Sequence, residues 1–165
     1  MRKYLVVANQ TIGGAELREE LRKRIDAGPS SFYVLVPNTK AAHYHVVPVA
    51  GGLVPMPAIV TDYGGPESDE EATAGARHRL DQLVAGLAAL GVEVVGRLGS
   101  ANPLEGIEEA LADQEFDEVI VSALPRRVSR WLGADLPHQV ERRFKLPVTT
   151  TICQTLTRPH ASGWR

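Results

Sequence analysis

The sequence predicts an α/β protein: an open parallel sheet with helices on both faces. Three observations predict it. Five short, apolar, β-branched runs alternate strictly with four segments of helical periodicity over 165 residues, the order of stacked βαβ units. The runs YLVVA (Tyr4 to Ala8) and VIV (Val119 to Val121) are apolar throughout, as strands covered on both faces are. No internal repeat or low-complexity linker divides the chain, so residues 1–165 are expected to form one domain around a substantial core.

The first strand, near residues 3–8, is followed by Asn9, Gln10, Thr11 and a Gly13-Gly14 turn. Leu17, Leu21 and Ile25 then form the buried stripe of a helix that Gly28-Pro29 stops. A second strand lies near 32–37. Residues 37–67 form a Pro/Gly-rich insertion, with five of the eleven prolines and two Gly-Gly pairs. Pro48, Pro55 and Pro57 argue against a central strand there; a loose hairpin or arm turning at Gly51-Gly52 fits better. Ser68 to Glu71 is a capping-box sequence opening a long helix, with Ala72, Ala76, Leu80, Leu83, Leu87 and Leu90 facing inward and Gly91 ending it.

A third strand lies near 92–97. Asn102-Pro103 starts the next helix, with Glu105 expected to complete a reciprocal cap and Leu104, Ile107 and Leu111 facing inward. The fourth strand, near 118–122, runs into a basic loop. Val128 to Leu132 has the spacing of a short amphipathic turn, with Trp131 as core or interface. The last helix starts near Asp135, carries Leu136, Val140 and Phe144 on one face, and is expected to end at Leu146-Pro147. A strand near 147–152 closes the chain's ordered pattern.

Charge and composition exclude several classes. The net charge is −2, with no basic excess that would mark a nucleic-acid binder. No apolar run approaches the ~20 residues of a membrane span, and the amino terminus lacks a signal peptide's pattern, so a cytoplasmic location is the expectation. The charge is uneven: Glu67 to Glu118 holds thirteen acids against three arginines, while Val119 onward holds eight basic residues against Asp135 and Glu141. Cys153 is the single cysteine, so it is expected as a free thiol. His43 and His45 share a side of an extended backbone but lack a third ligand, so no metal is expected. The signatures GxxxxGK, GxGxxG and GxSxG are absent, and no catalytic residue is assigned.

Asp117 to Cys153, DEVIVSALPRRVSRWLGADLPHQVERRFKLPVTTTIC, resembles the carboxyl third of a universal stress protein: strand, phosphate-binding loop, helix, and a last strand entered through Pro-Val. In the family's nucleotide-binding branch the loop reads G-x2-G-x9-G-[ST]. Counted from Ser122, the glycine positions fall on Ser122, Pro125 and Asp135 and the hydroxyl position on Leu136; with one gap, Ala134-Asp135 stands opposite the Gly-Ser pair. No glycine is kept, and Asn9 stands where the family places an Asp against the nucleoside.

The resemblance implies the sheet order 3-2-1-4-5, a ligand cleft between the loops after the first and fourth strands, and a homodimer formed along the last strand through Thr149, Thr150 and Thr151. The candidate ligand residues are Asn9, Thr11, Ser122, Arg126, Arg127, Ser129, Arg130 and Asp135. The arginines can hold an anion bidentately, whereas Pro125 lacks an N–H and Asp135, as an N-cap, is expected to fill its own helix's anion site. The sequence thus reads as a non-catalytic binding or regulatory module of universal-stress-protein type, stress-linked by analogy, with no resident cofactor and no strong hold on ATP. The first alternative is an adenine-nucleotide (ATP or AMP) or small-anion binder using the 122–130 loop; the second is an enzyme acting on a phosphorylated small molecule.

Overall fold

The structure, a computed structural model, is described for residues 1–8, 14–38, 44–49, 52–57, 69–123 and 135–153. Its elements are β1 (Arg2–Val7), α1 (Ala15–Ala27), β2 (Ser30–Pro37), β3 (Tyr44–Val49), β4 (Gly52–Pro57), α2 (Asp69–Ala88), β5 (Glu93–Gly99), α3 (Pro103–Asp113), β6 (Glu118–Ala123), α4 (Leu136–Phe144) and β7 (Val148–Ile152). Five strands make one sheet in the order β5-β2-β1-β6-β7, every pair parallel. Numbering only these five gives 3-2-1-4-5. The predicted fold class holds, and β3 and β4 form a separate antiparallel pair.

Period-two alternation divides the core in two. Tyr4, Val6, Phe32, Val34 and Ile120 pack under α1 and α2, meeting Leu17, Leu21, Leu80, Leu83 and Leu87. Leu5, Val7, Leu35, Val119 and Val121 pack on the other face with Ile107 of α3 and Leu136 and Val140 of α4. Each face carries its own ring pair: Tyr4 stacks on Phe32 at 5.4 Å, and Tyr33 meets Phe116 edge-on at 5.6 Å. Gly96 lets α2 settle onto β5, because a Cβ there would come within 2.7 Å of Val84 Cγ2.

The predicted helix ends need four corrections. Leu90 lies past the end of α2 and is 36% exposed; Leu90 and Gly91 close the last turn by bonds to the Leu87 and Ala88 carbonyls, and Gly91 turns the chain away at φ 77°. Asn102 Oδ1 does accept from Leu104 N at 3.1 Å, but Glu105 does not reach the Asn102 N–H. Ser100 stands between them: Asn102 N donates to Ser100 Oγ at 3.3 Å, and Ser100 Oγ donates to Glu105 Oε2 at 2.9 Å. The last helix ends at Phe144, before Leu146-Pro147, because Lys145 adopts a left-handed backbone (φ 58°) and donates its N–H to the Glu141 carbonyl. The fourth correction, at Asp135, belongs to the candidate site. Val128 to Leu132, Trp131 and Ser68 lie outside the described residues.

One polar cluster lies within the apolar framework and was not anticipated. Arg24 of α1 meets Glu118 of β6 through Nη2 at 2.6 Å and Nε at 3.3 Å, and it also pairs with Glu20. Its Nη2 donates to Thr149 Oγ1 of β7 at 3.1 Å, and Thr149 donates to Glu118 in turn. The Arg24 and Glu118 side chains are only 18% and 16% exposed. Burial pushes the Glu118 carboxyl upward, but bonds from Arg24 and Thr149 outweigh it and the net shift is downward. The Glu118 bond in turn raises Arg24 against the pull of burial.

A carboxyl lowered by folding contributes stability above its unfolded range and loses it as pH falls through the folded value. Glu118→Gln is therefore expected to cost about 1–2 kcal/mol at pH 7, with the half-buried setting holding it below a fully buried pair. The difference should start to shrink as pH drops below the usual carboxylate value of about 4 and go on shrinking toward the lowered folded value. Urea denaturation of both proteins at pH 7 and pH 3 measures it; a gap as large at pH 3 as at pH 7 would show that packing, not charge, holds this corner.

Candidate functional site

In an open α/β sheet the strand order reverses at one place, and the crossovers on either side leave for opposite faces. Here that place lies between β1 and β6: α1, after β1, covers the face of Tyr4 and Val6, while α4, after β6, covers the face of Leu5 and Val7. Open α/β sheets take their ligands in the crevice outside the carboxyl ends of the strands at such a reversal. The described residues that end the two strands there are Val7, Ala8, Val121 and Ala123, all 0–2% exposed, and Ser122 at 1%. The strand ends are tied to their neighbours: Ala8 N donates to Leu35 O at 3.2 Å, and Cys153 N donates to Ala123 O at 2.9 Å.

Of the eight candidate residues, Ser122 and Asp135 fall within the described part of the chain. Asn9, Thr11, Arg126, Arg127, Ser129 and Arg130 lie outside the described residues. Ser122 is in register with Thr151 of β7. Thr151 is 8% exposed, and its Oγ1 is buried with no hydrogen-bond partner. The last strand is thus less of a uniform polar rim than its three threonines imply: Thr149 is engaged by Arg24 and Glu118, Thr151 is buried, and Thr150 alone is exposed.

Asp135 differs from expectation in its side chain. Its carbonyl accepts the first helical bond of α4, from Gln139 N at 3.0 Å, so it is the N-cap residue. Its backbone is left-handed, φ 55° and ψ 40°, and its carboxylate makes no capping bond. A side-chain cap uses an extended backbone that folds the carboxylate over the N–H groups of the first turn. The left-handed backbone does not, and Pro137 in that first turn has no N–H to offer. The expectation that Asp135 fills the helix's anion site by capping it is therefore overturned. An exposed carboxylate remains at the positive end of the helix dipole.

Asp135, which ungapped spacing from Ser122 sets at the third glycine position and one gap sets at the hydroxyl position, takes a left-handed backbone, which Asp tolerates better than most side chains. Cys153 is free and buried just past the end of β7, and among the described residues no group of three or more His, Cys, Asp and Glu side chains that could hold a metal occurs; His43 lies outside them.

Solved structures share this architecture over nearly the whole chain. A universal stress protein family protein from Arabidopsis thaliana with AMP bound matches at a TM-score of 0.58 and 14% identity, covering 93% of this chain and 93% of its own. The universal stress protein from Archaeoglobus fulgidus gives 0.51 and 14%, covering 91% and 93%. A universal stress protein family protein from Burkholderia pseudomallei gives 0.50 and 17%, covering 90% and 94%. The fold is that of the universal stress proteins. No family model and no curated protein matches the sequence itself, which at these identities is no conflict, since burial patterns outlast residue identities.

A substitution separates a capping role for Asp135 from a conformational one. Asp135→Gly relieves a left-handed cost of about 1 kcal/mol while adding unfolded-chain entropy, so stability should hold or rise by a few tenths of a kcal/mol. Asp135→Ala should cost about 1 kcal/mol, because alanine bears the left-handed penalty in full. Thermal melts decide it: a glycine variant that melts as low as the alanine variant would show that the carboxylate does cap the helix.

Proposed function

We propose that this chain is a non-catalytic binding or regulatory module of universal-stress-protein type, whose β1–β6 crevice takes a small anionic ligand and holds ATP weakly. One observation carries the reading: at the amino terminus of α4 the glycine-like backbone at Asp135 is present, while its exposed carboxylate is uncommitted to the helix. Backbone N–H groups at a helix start attract an anion. A carboxylate at the same end subtracts from that attraction, and it opposes a triphosphate more than a singly phosphorylated or carboxylated ligand. Arg126, Arg127 and Arg130, with Asn9, Thr11, Ser122 and Ser129, are the residues we assign to the ligand's surroundings. A stress-linked, cytoplasmic role follows by analogy of fold alone; no helix among the described residues is long and apolar enough to cross a membrane.

The second reading, an adenine-nucleotide binder using the 122–130 loop, is favoured by the AMP on the Arabidopsis neighbour. Calorimetry with ATP and AMP on wild type and Asp135→Asn separates the two. Asparagine keeps the left-handed tolerance and removes the charge, so ATP affinity should rise about three- to tenfold, a gain that shrinks with added salt. Sub-micromolar ATP binding by wild type would establish the second reading in place of the first. Turnover of a bound phosphate ester would establish an enzyme instead.

Assembly is a separate proposal. Among the described residues β7 is an edge of the sheet, and such an edge suits pairing with the same strand of a second copy. Light scattering at micromolar concentration is expected to give twice the single-chain mass. Thr150→Pro, which removes a donor from the strand, is expected to lower that mass; a wild-type protein that stays monomeric contradicts the proposal.

A further inference from the structure

Parallel strand order fixes where the helices end. Each crossover helix runs back against the strands it joins, so α3 and α4 both finish at the amino edge of the sheet, opposite the β1–β6 crevice. α3 stops at Asp113 and α4 at Phe144. Beyond them the face that carries Leu5, Val119 and Val148 continues by period two, with Lys3, Asp117 and Leu146 each two residues earlier. Backbone bonds hold the first two side by side: Lys3 N donates to Asp117 Oδ2 and Asp117 N to Lys3 O, both at 2.8 Å.

This edge contains a cavity of about 520 Å³, within the ~300–1,000 Å³ span of small-molecule sites. Leu111 of α3, Phe144 of α4, Phe116 and Leu146 give it an apolar side. Lys3, Glu115 and Asp117 give it a charged side, and all three are exposed. Among the described residues the Lys3 ammonium and the Glu115 carboxylate enter no ion pair. Arg143, which lies over the Phe144 ring at 5.6 Å, is committed to both oxygens of Glu108, at 2.8 and 2.9 Å. The last carbonyls of two helices add negative potential at the same edge.

An apolar side, one ammonium and two carboxylates offer a partner to every part of one ligand class. We infer that the amino-edge cavity is a second binding site, which takes an α-amino acid with an apolar side chain. The ligand's carboxylate faces Lys3, its ammonium faces Glu115 and the helix ends, and its side chain covers Phe116, Phe144 and Leu146. An apolar amine would leave the Lys3 charge unopposed, and an apolar acid would meet Glu115 and Asp117. The site lies about 20 Å from the crevice, the length of a six-residue strand, and does not depend on what the crevice binds.

Amide NMR titration of the isotope-labelled full chain tests it and also locates the binding. L-Phenylalanine should shift the amides of Lys3, Phe116, Asp117 and Leu146 and leave those of Val7, Ala8 and Ser122 in place. Phenethylamine lacks the carboxylate and 3-phenylpropionate lacks the ammonium; each should bind about three- to fivefold more weakly, as exposed ion pairs allow. Glycine keeps both charges without the ring and should bind at least about tenfold more weakly. Lys3→Gln should erase the advantage over phenethylamine alone, and Glu115→Gln the advantage over 3-phenylpropionate alone. Both side chains are exposed, and each variant checks the other should one misfold. Phenylalanine that shifts nothing, or shifts only the crevice amides, would overturn the inference. So would phenethylamine or 3-phenylpropionate binding as tightly as phenylalanine, or ratios that both variants leave unchanged.

Discussion

Tyr4 to Ala8 is the segment on which the other strands and helices depend, because it must be covered on every side. None of its side chains is more than 2% exposed, its two edges are taken by β2 and β6, and its two faces are taken by different helix pairs. A central parallel strand can be covered in this way only if the crossovers on its two sides run to opposite faces. That requirement puts the reversal of strand order between β1 and β6. The lower end of the same pair is held by a reciprocal contact: Lys3 N donates to Asp117 Oδ2, and Asp117 N donates to Lys3 O, both at 2.8 Å. The register of β1 against β6, and with it the position of their carboxyl ends, is set there.

The edges of the sheet are managed unequally. β5 leaves Val95 53% exposed, while β7 is held from beneath by Arg24, Glu118 and Thr149. That cluster takes charge into a half-buried corner, where its worth depends on every partner being in place. It also spares the outer side of β7, so among the described residues the strand remains an edge of the sheet although two of its three threonines are occupied or buried. The helix that carries Arg24 has Gly14 as its N-cap, so α1 runs from the carboxyl end of β1 back to the edge strand.

At Asp135 conformation and charge point in different directions. The backbone behaves as a glycine would, yet the side chain places a negative charge where phosphate is drawn in other proteins. A helix cap would have used that charge up on the chain's own N–H groups; a left-handed residue does not. The distinction matters for function, since an uncommitted carboxylate repels a polyanion and can be removed without a loss of helix stability.

The sequence alone determined the alternation of five strands with four helices, the buried stripes at Leu17 and Leu21, at Leu80, Leu83 and Leu87, and at Leu136 and Val140, and the separateness of the proline-punctuated 37–67 segment. These follow from periodicity and from local backbone chemistry, which a single segment carries within itself. Tertiary structure decided what depends on two segments at once. Arg24 finds Glu118 across 94 residues, and no local spacing signals such a partner. Ser100 intervenes between Asn102 and Glu105 because the turn before α3 brings its hydroxyl into the line between them. Asp135 lost its predicted cap because its backbone is left-handed, and φ decides where a carboxylate can reach; composition and spacing do not contain that angle.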